Sequence, residues 1–138
     1  MLRCIAMVLT ALAMSVATTG CFVEAGTTST IVPVGPGSVT LRWSIDGSFD
    51  PAACDAFFVA EARIDLYDVA GAPIRTTFVD CRQFSARFDL PEGRYSARVE
   101  MVDAREQPRS TSLPVSSFVI VSGTNLNIDT DFPRDSFF

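Results

Sequence analysis

Alternation of apolar and polar residues constrains the fold of this chain more than any other feature. Between positions 38 and 45 every second residue is apolar, at Val39, Leu41, Trp43 and Ile45. A period of two is typical of a β-strand with one buried face. The same period recurs at positions 64–66, 84–90, 95–101, 118–120 and 126–132. We therefore expect several strands that each turn one face toward a shared core.

Turn-forming residues separate these segments at short intervals. They are Asp46-Gly47, Gly71-Ala72-Pro73, Pro91-Glu92-Gly93, Gln107-Pro108 and Ser122-Gly123. Short strands joined by closely spaced turns indicate a β-sandwich or barrel. The sequence predicts an all-β fold over residues 38–138, a single antiparallel β-sandwich of about seven to eight strands.

One segment, residues 50–58, departs from the strand pattern. Asp50 has a side chain suited to capping a helix, and Pro51 suits the first helical position. The following Ala52-Ala53-Cys54-Asp55-Ala56 favours a helical turn. We predict a short helix or loop here.

The turn Leu90-Pro91-Glu92-Gly93-Arg94-Tyr95 resembles the L-x-x-G-x-Y turn of immunoglobulin-like domains. The resemblance covers roughly the last hundred residues and implies an immunoglobulin-like architecture. It implies that the Tyr95 ring enters the core while its hydroxyl returns to nearby backbone. Trp43 suits the inward-facing tryptophan of such domains. A fold of this kind leaves function open.

The first twenty residues read as a secretory signal peptide. Met1-Leu2-Arg3 supplies a positive start, and the apolar run at 4–16 is too short to span a bilayer stably. The run ends in Ala17-Thr18-Thr19-Gly20-Cys21, which resembles the lipobox of bacterial lipoproteins, with Thr18 where that family usually has Leu. The resemblance implies a diacylglyceryl group on Cys21. The alternative is an ordinary signal peptide that leaves Cys21 as a plain thiol.

Residues 21–37 are expected to form the lipidated N-terminus and a flexible tether, since Thr, Ser, Gly and Pro dominate without hydrophobic periodicity. Phe22 follows the cysteine where an Asp would retain a diderm lipoprotein at the inner membrane. The resemblance therefore favours the outer membrane over the inner one. Residues 30–34 could add a further strand to the sheet.

Four cysteines are present, and two remain after processing. Cys4 leaves with the signal peptide and Cys21 is consumed by the lipid, so Cys54 and Cys81 are expected to pair. Export places this pair in an oxidising compartment, which favours a structural disulfide. A disulfide between them would close a loop of 26 intervening residues. The loss of chain entropy in the unfolded state would then stabilise the domain by roughly 3.5 kcal/mol.

The chain contains no histidine and no lysine, and its net charge is −5. Without these residues, Ser-His-Asp, Cys-His and Ser-Lys catalytic arrangements cannot form within this chain. The acidic balance argues against a nucleic-acid partner. Carboxylate chemistry is the catalytic option left, and no pattern of residues supports it.

Three aspartates of one loop region, Asp46, Asp50 and Asp55, are weak candidates for a calcium site because hard cations take oxygen ligands. No EF-hand spacing is present, so turn and capping roles are favoured. A carboxylate pair for hydrolysis is a further alternative. Asp129 and Asp131 are expected to face outward from a terminal edge strand, where charge guards against aggregation.

Four phenylalanines, Phe57, Phe58, Phe137 and Phe138, fit no strand face clearly. If exposed, they form the best candidate contact patch, and a glycan is one ligand that such rings bind. If they cover an open end of the sandwich, their role is structural.

The arrangement as a whole resembles small uncharacterised lipoproteins of myxobacteria and their relatives. The resemblance rests on the Thr-Gly-Cys lipobox, the strand and turn at 41–47, the separated cysteines, the turn at 90–95 and the terminal segment 131–138. It implies location and fold. The sequence therefore predicts a non-enzymatic lipid-anchored cell-envelope protein, a structural or interaction module with an envelope protein or glycan as partner. The alternative is a calcium- or glycan-binding module.

Overall fold

The computed structural model describes residues 35–138. The predicted signal peptide, Cys21 and residues 21–34 of the predicted tether lie outside this part of the chain. Seven strands and one α-helix follow in chain order, with short 3-10 turns at Cys81–Gln83 and Arg134–Ser136. The elements are β1 (Gly37–Ile45), α1 (Pro51–Ala56), β2 (Glu61–Tyr67), β3 (Pro73–Asp80), β4 (Ser85–Leu90), β5 (Gly93–Val102), β6 (Leu113–Ile120) and β7 (Asn125–Phe132). No helix within 35–138 is long and apolar enough to cross a membrane.

The strands form a sandwich of two sheets, in the orders β4-β1-β7 and β3-β2-β5-β6. Strands β1 and β4 lie in one sheet and β2, β5 and β6 in the other, as strands B, E and C, F, G do in immunoglobulin domains. The predicted all-β sandwich is confirmed. One pairing is parallel: β7 lies beside β1 with Ser38 opposite Asn125 and Ile45 opposite Phe132.

The core lies between the sheets and contains the predicted inward faces. Trp43 is buried mid-strand, and its indole N–H donates to the Cys81 carbonyl over 3.1 Å. Tyr95 is partly buried, and its hydroxyl donates to the Pro91 carbonyl over 3.0 Å, as the turn resemblance implied. The other buried apolar residues of the strands include Val39, Leu41, Ile45, Ala62, Ile64, Leu66, Ala86, Phe88, Leu90, Ala97, Val99, Met101, Val115, Phe118, Ile120 and Phe132.

Strand β1 begins at Gly37, one residue before the predicted start of the domain. A Cβ atom at Gly37 would lie 2.3 Å from the Val121 carbonyl oxygen, so only glycine fits this close approach. The Gly35 carbonyl accepts from the Gly123 amide over 3.1 Å. The chain therefore enters the sandwich beside the β6–β7 turn.

For residues 50–58 we expected a short helix or loop, and the structure has a short helix, α1, at Pro51–Ala56. The Asp50 side chain accepts from the Ala52 amide over 2.9 Å, and Pro51 occupies the first turn. The predicted disulfide joins Cys54 of α1 to Cys81, and both residues are buried. Helix α1 is thereby fixed to the 3-10 turn that follows β3.

The two ends of the sandwich carry different elements. The chain enters at one end, beside the turns at 91–92 and 121–124. The opposite end, called here the distal end, carries α1, the 3-10 turn at Cys81–Gln83, the loop at 103–112 and the C-terminal segment 133–138. Nine residues of β1 separate the two ends, which is about 30 Å at the usual rise of a strand.

Candidate functional site

The distal end brings together the four phenylalanines that fit no strand face. Phe57 and Phe137 stack with ring centroids 4.2 Å apart, and both are packed against the core. Phe58 and Phe138 point outward and are 73% and 69% exposed. The sequence left contact and structural roles open for this group, and in the structure one pair is packed and the other is exposed.

Phe58 occupies a backbone conformation that usually belongs to glycine. Its φ is +55°, in the left-handed region that costs an L-residue about 1–2 kcal/mol. The Phe58 amide donates to Asp55 and the Val59 amide donates to Cys54, which is the Schellman arrangement that ends a helix. Phe58 is the left-handed residue of that motif. The chain therefore keeps an exposed aromatic ring where glycine would fit with less strain.

Two arginines lie over this aromatic group. The Arg109 guanidinium carbon is 5.6 Å from the centroid of Phe58, and that of Arg134 is 6.0 Å from Phe57. A guanidinium over a ring face is attracted by the π electrons and keeps its outer N–H groups for other acceptors. Sequence reasoning missed both arginines, because their partners are about 50 and 77 residues away along the chain.

The two arginines differ in how they are satisfied. Arg134 forms an exposed ion pair with Asp46, 3.4 Å between Nε and the carboxylate. Arg109 has no ion pair within the described residues, and its buried Nε has no hydrogen-bond partner there. Within the cleft, the Arg109 guanidinium is therefore the one whose charge has no carboxylate partner among the described residues.

These side chains surround a cleft of about 220 Å³ at the distal end. We call it the Phe–Arg cleft, lined by Ala56, Phe57, Phe58, Arg109, Arg134, Phe137 and Phe138. The lining side chains include two arginines and no Asp or Glu, although the chain as a whole is acidic. The backbone holds it together, since the Phe138 amide donates to the Arg109 carbonyl over 3.2 Å.

The loop beside the cleft is organised by Asp103. Its carboxylate accepts from the amides of Gln107 and Arg105, over 3.0 and 2.8 Å. These backbone hydrogen bonds, and then the positive charges of Arg109 and Arg105, lower the pKa of Asp103 from its ordinary value of 3.8. Asp103 thus fixes the loop that leads into Arg109.

The three aspartates considered for calcium have separate partners. Asp46 pairs with Arg134, Asp50 caps α1 and Asp55 pairs with Arg82. Within residues 35–138, no group of three or more acidic, cysteine or histidine side chains is arranged to hold a metal ion. Asp46 lies in the turn after β1 and Asp50 caps α1, whereas Asp55 lies within α1 and has Arg82 as its partner.

Asp129 and Asp131 lie on β7, an edge strand, and both are exposed as expected. Asp129 pairs with Arg42 at 3.5 Å. Asp131 also has a structural partner, because its carboxylate accepts from the Ser44 hydroxyl and from the Gly47 amide. It thereby fixes the turn after β1.

No protein-family model and no curated protein matches this chain. Among solved structures, an adhesin-like protein from Bacteroides ovatus is 14% identical, with a TM-score of 0.46 over 71% of this chain and 44% of that one. A leucine-rich repeat protein from Bacteroides thetaiotaomicron is 12% identical, with a TM-score of 0.38 over 73% of this chain and 14% of that one. The chain therefore spans less than half of either protein.

Proposed function

We propose that this chain is an exported, lipid-anchored interaction module of the bacterial cell envelope, without catalytic activity, whose partner binds at the Phe–Arg cleft. The observation that carries the proposal is the exposure of Phe58 and Phe138 beside a cleft in which Arg109 has no ion pair with any residue of 35–138. Exposed aromatic residues next to arginine are the residue types that dominate protein interfaces.

Energetics favour a binding role for Phe58. The ring is mostly exposed, so it lacks most of the burial that stabilises an ordinary phenylalanine. Its own backbone has the strained left-handed conformation. Residues that lower stability in this way are typical of functional sites. A partner that covers the ring would recover the missing burial.

The position of the cleft fits a module that is tethered through its N-terminus. The chain enters the sandwich about 30 Å from the distal end, at the opposite end of β1. An anchor at Cys21 would therefore be attached at the end away from the cleft.

The residue types of the chain support a non-catalytic role. The sequence has no histidine and no lysine, and Cys54 and Cys81 are joined in a disulfide. The usual general bases and nucleophile pairs are therefore missing from this chain. The lining of the Phe–Arg cleft offers aromatic carbon and guanidinium groups, which bind and orient but supply no base.

The interaction claim is tested on envelope complexes extracted in mild detergent and separated by native electrophoresis. The proposal expects the wild-type chain in a complex larger than the free protein. Phe58→Gly should release the free chain, whereas Val69→Ala, which alters a 76% exposed side chain in the β2–β3 turn, should not. Free wild-type chain, or equal loss in both variants, would contradict the proposal.

The anchor is tested by intact mass spectrometry and membrane fractionation of the wild-type chain and Cys21→Ala. Acylated mass at Cys21, with loss of membrane association in the variant, is the expected result. A soluble, unacylated wild-type product that begins at or just before Cys21 would refute the anchor and leave Cys21 as a plain thiol.

A further inference from the structure

We infer that the Phe–Arg cleft binds an acidic peptide segment, in which an apolar side chain enters between Phe58 and Phe138 and a neighbouring carboxylate pairs with Arg109. This inference rests on the proposed function and names the chemistry of its partner.

Size limits the occupant to about one side chain. A cleft of about 220 Å³ is smaller than the roughly 300–1,000 Å³ of sites that enclose a small molecule. Interfaces between proteins are commonly centred on single apolar anchors that fill such pockets. The cleft therefore suits one anchoring residue of a longer chain that continues across the surface.

Charge identifies the neighbour of that anchor. Arg109 and Arg134 are the charged residues of the lining, and Arg134 is already paired with Asp46. Arg109 lies over Phe58 with its Nε unpartnered among the described residues. A carboxylate accepts two parallel N–H groups from a guanidinium, and a charge-assisted pair of this kind is stronger than a neutral hydrogen bond. An acidic residue beside the anchor would satisfy Arg109.

The donor set argues against a sugar in this cleft. Arginine donates hydrogen bonds and accepts none, and phenylalanine and alanine side chains do neither. The lining side chains therefore offer sugar hydroxyl protons no acceptor. A carboxylate needs only donors, which is what the lining provides. The glycan partner considered from the sequence is therefore less suited to this cleft than an acidic peptide.

Three synthetic peptides test the inference on the mature full chain in phosphatidylcholine nanodiscs. The first is acetyl-Gly-Phe-Asp-Gly-amide, the second replaces Asp by Asn, and the third replaces Phe by Ala. The amide signals of Phe58 and Phe138 and the Nε–H signal of Arg109 are followed by NMR during each titration. The Phe-Asp peptide should shift all three signals and bind at least about fivefold more tightly than either control peptide.

Matched variants separate the two halves of the site. Arg109→Gln removes the contact over Phe58 for both peptides and the charge pair for the Phe-Asp peptide alone, so it should weaken the Phe-Asp peptide about fivefold more than the Phe-Asn peptide. Phe58→Gly should weaken both. Arg87→Gln, an exposed charge on β4, serves as the control and should change neither.

Equal binding of the Phe-Asp and Phe-Asn peptides would overturn the acidic part of the inference, and tight binding of the Ala-Asp peptide would reduce the cleft to a simple anion site. No shift with any peptide would overturn the inference entirely. The proposed function would survive that result if native electrophoresis still showed a complex that depends on Phe58. Loss of the complex as well would refute both.

Discussion

Replacing Phe58 by glycine should remove a binding residue at little cost in stability. About a quarter of the side chain is buried, roughly 50 Å² of about 200 Å², which corresponds to about 1 kcal/mol. Losing the Arg109 contact over the ring removes roughly another 0.5–1 kcal/mol. Relief of the left-handed backbone returns about 1–2 kcal/mol. The net change in the free energy of unfolding should lie within about 1 kcal/mol of zero.

Phe84 provides a matched control, because it has nearly the same backbone conformation and an opposite environment. Its φ is +52°, yet it is only 8% exposed and meets Phe49 edge-on at 5.8 Å. Removing a buried phenylalanine costs about 3–5 kcal/mol, and the backbone relief is the same as at Phe58. Phe84→Gly should therefore destabilise the domain by about 1–3.5 kcal/mol more than Phe58→Gly.

Urea unfolding of both variants beside the wild type measures the difference. Equal slopes with different midpoints would report stability alone. If Phe58→Gly lowered the stability as far as Phe84→Gly does, the Phe58 ring would be a structural element. A binding role would then not be needed to explain why the chain has phenylalanine at position 58.

Three further results are expected. Replacing Cys54 and Cys81 together by Ala should lower the free energy of unfolding by about 3.5 kcal/mol, because an unfolded loop spanning 27 positions is no longer closed; a loss below about 1 kcal/mol in urea titrations would contradict this. Tyr95→Phe should cost about 1 kcal/mol by thermal melting, since the hydrogen bond to Pro91 is lost; an unchanged melting temperature would contradict it. The lowered pKa of Asp103 stabilises the fold above about pH 4, and this contribution is lost as pH falls through the folded-state pKa. Asp103→Asn should therefore reduce the fall in the free energy of unfolding over this acid range. The same acid dependence in the variant and the wild type would refute this.

Local sequence patterns predicted the strands with one buried face and the helix. Alternation identified the inward face of β1, and the pair Asp50-Pro51 identified the start of α1. Strand β3 was missed because Pro73–Asp80 lies on an exposed sheet edge, and its residues show no apolar alternation. The parallel pairing of β7 with β1 could not be predicted from apolar alternation either. Alternation shows which face of a strand is buried, and it does not show which strand lies beside it.

The sequence identified the phenylalanines of the candidate site but not its arginines. The four phenylalanines stood out because they fit no strand face, but the division into a packed pair and an exposed pair depends on tertiary contacts. Arg109 and Arg134 gave no local signal, since a lone arginine in a loop is usually a solvated charge. The aspartates near α1 gave a local signal, and the structure gives each of them a cap or an ion pair.

Photocrosslinking in intact cells can show whether a partner binds at the Phe–Arg cleft. A benzoylphenylalanine at position 58 preserves an aromatic side chain at the Phe–Arg cleft, and the same probe at position 69 lies in the β2–β3 turn at the other end of the sandwich. We expect a discrete crosslinked adduct from position 58 and none from position 69. The amount of the position-58 adduct should fall when Arg109→Gln is added. No adduct from position 58, or equal adducts from both positions, would contradict binding at the cleft.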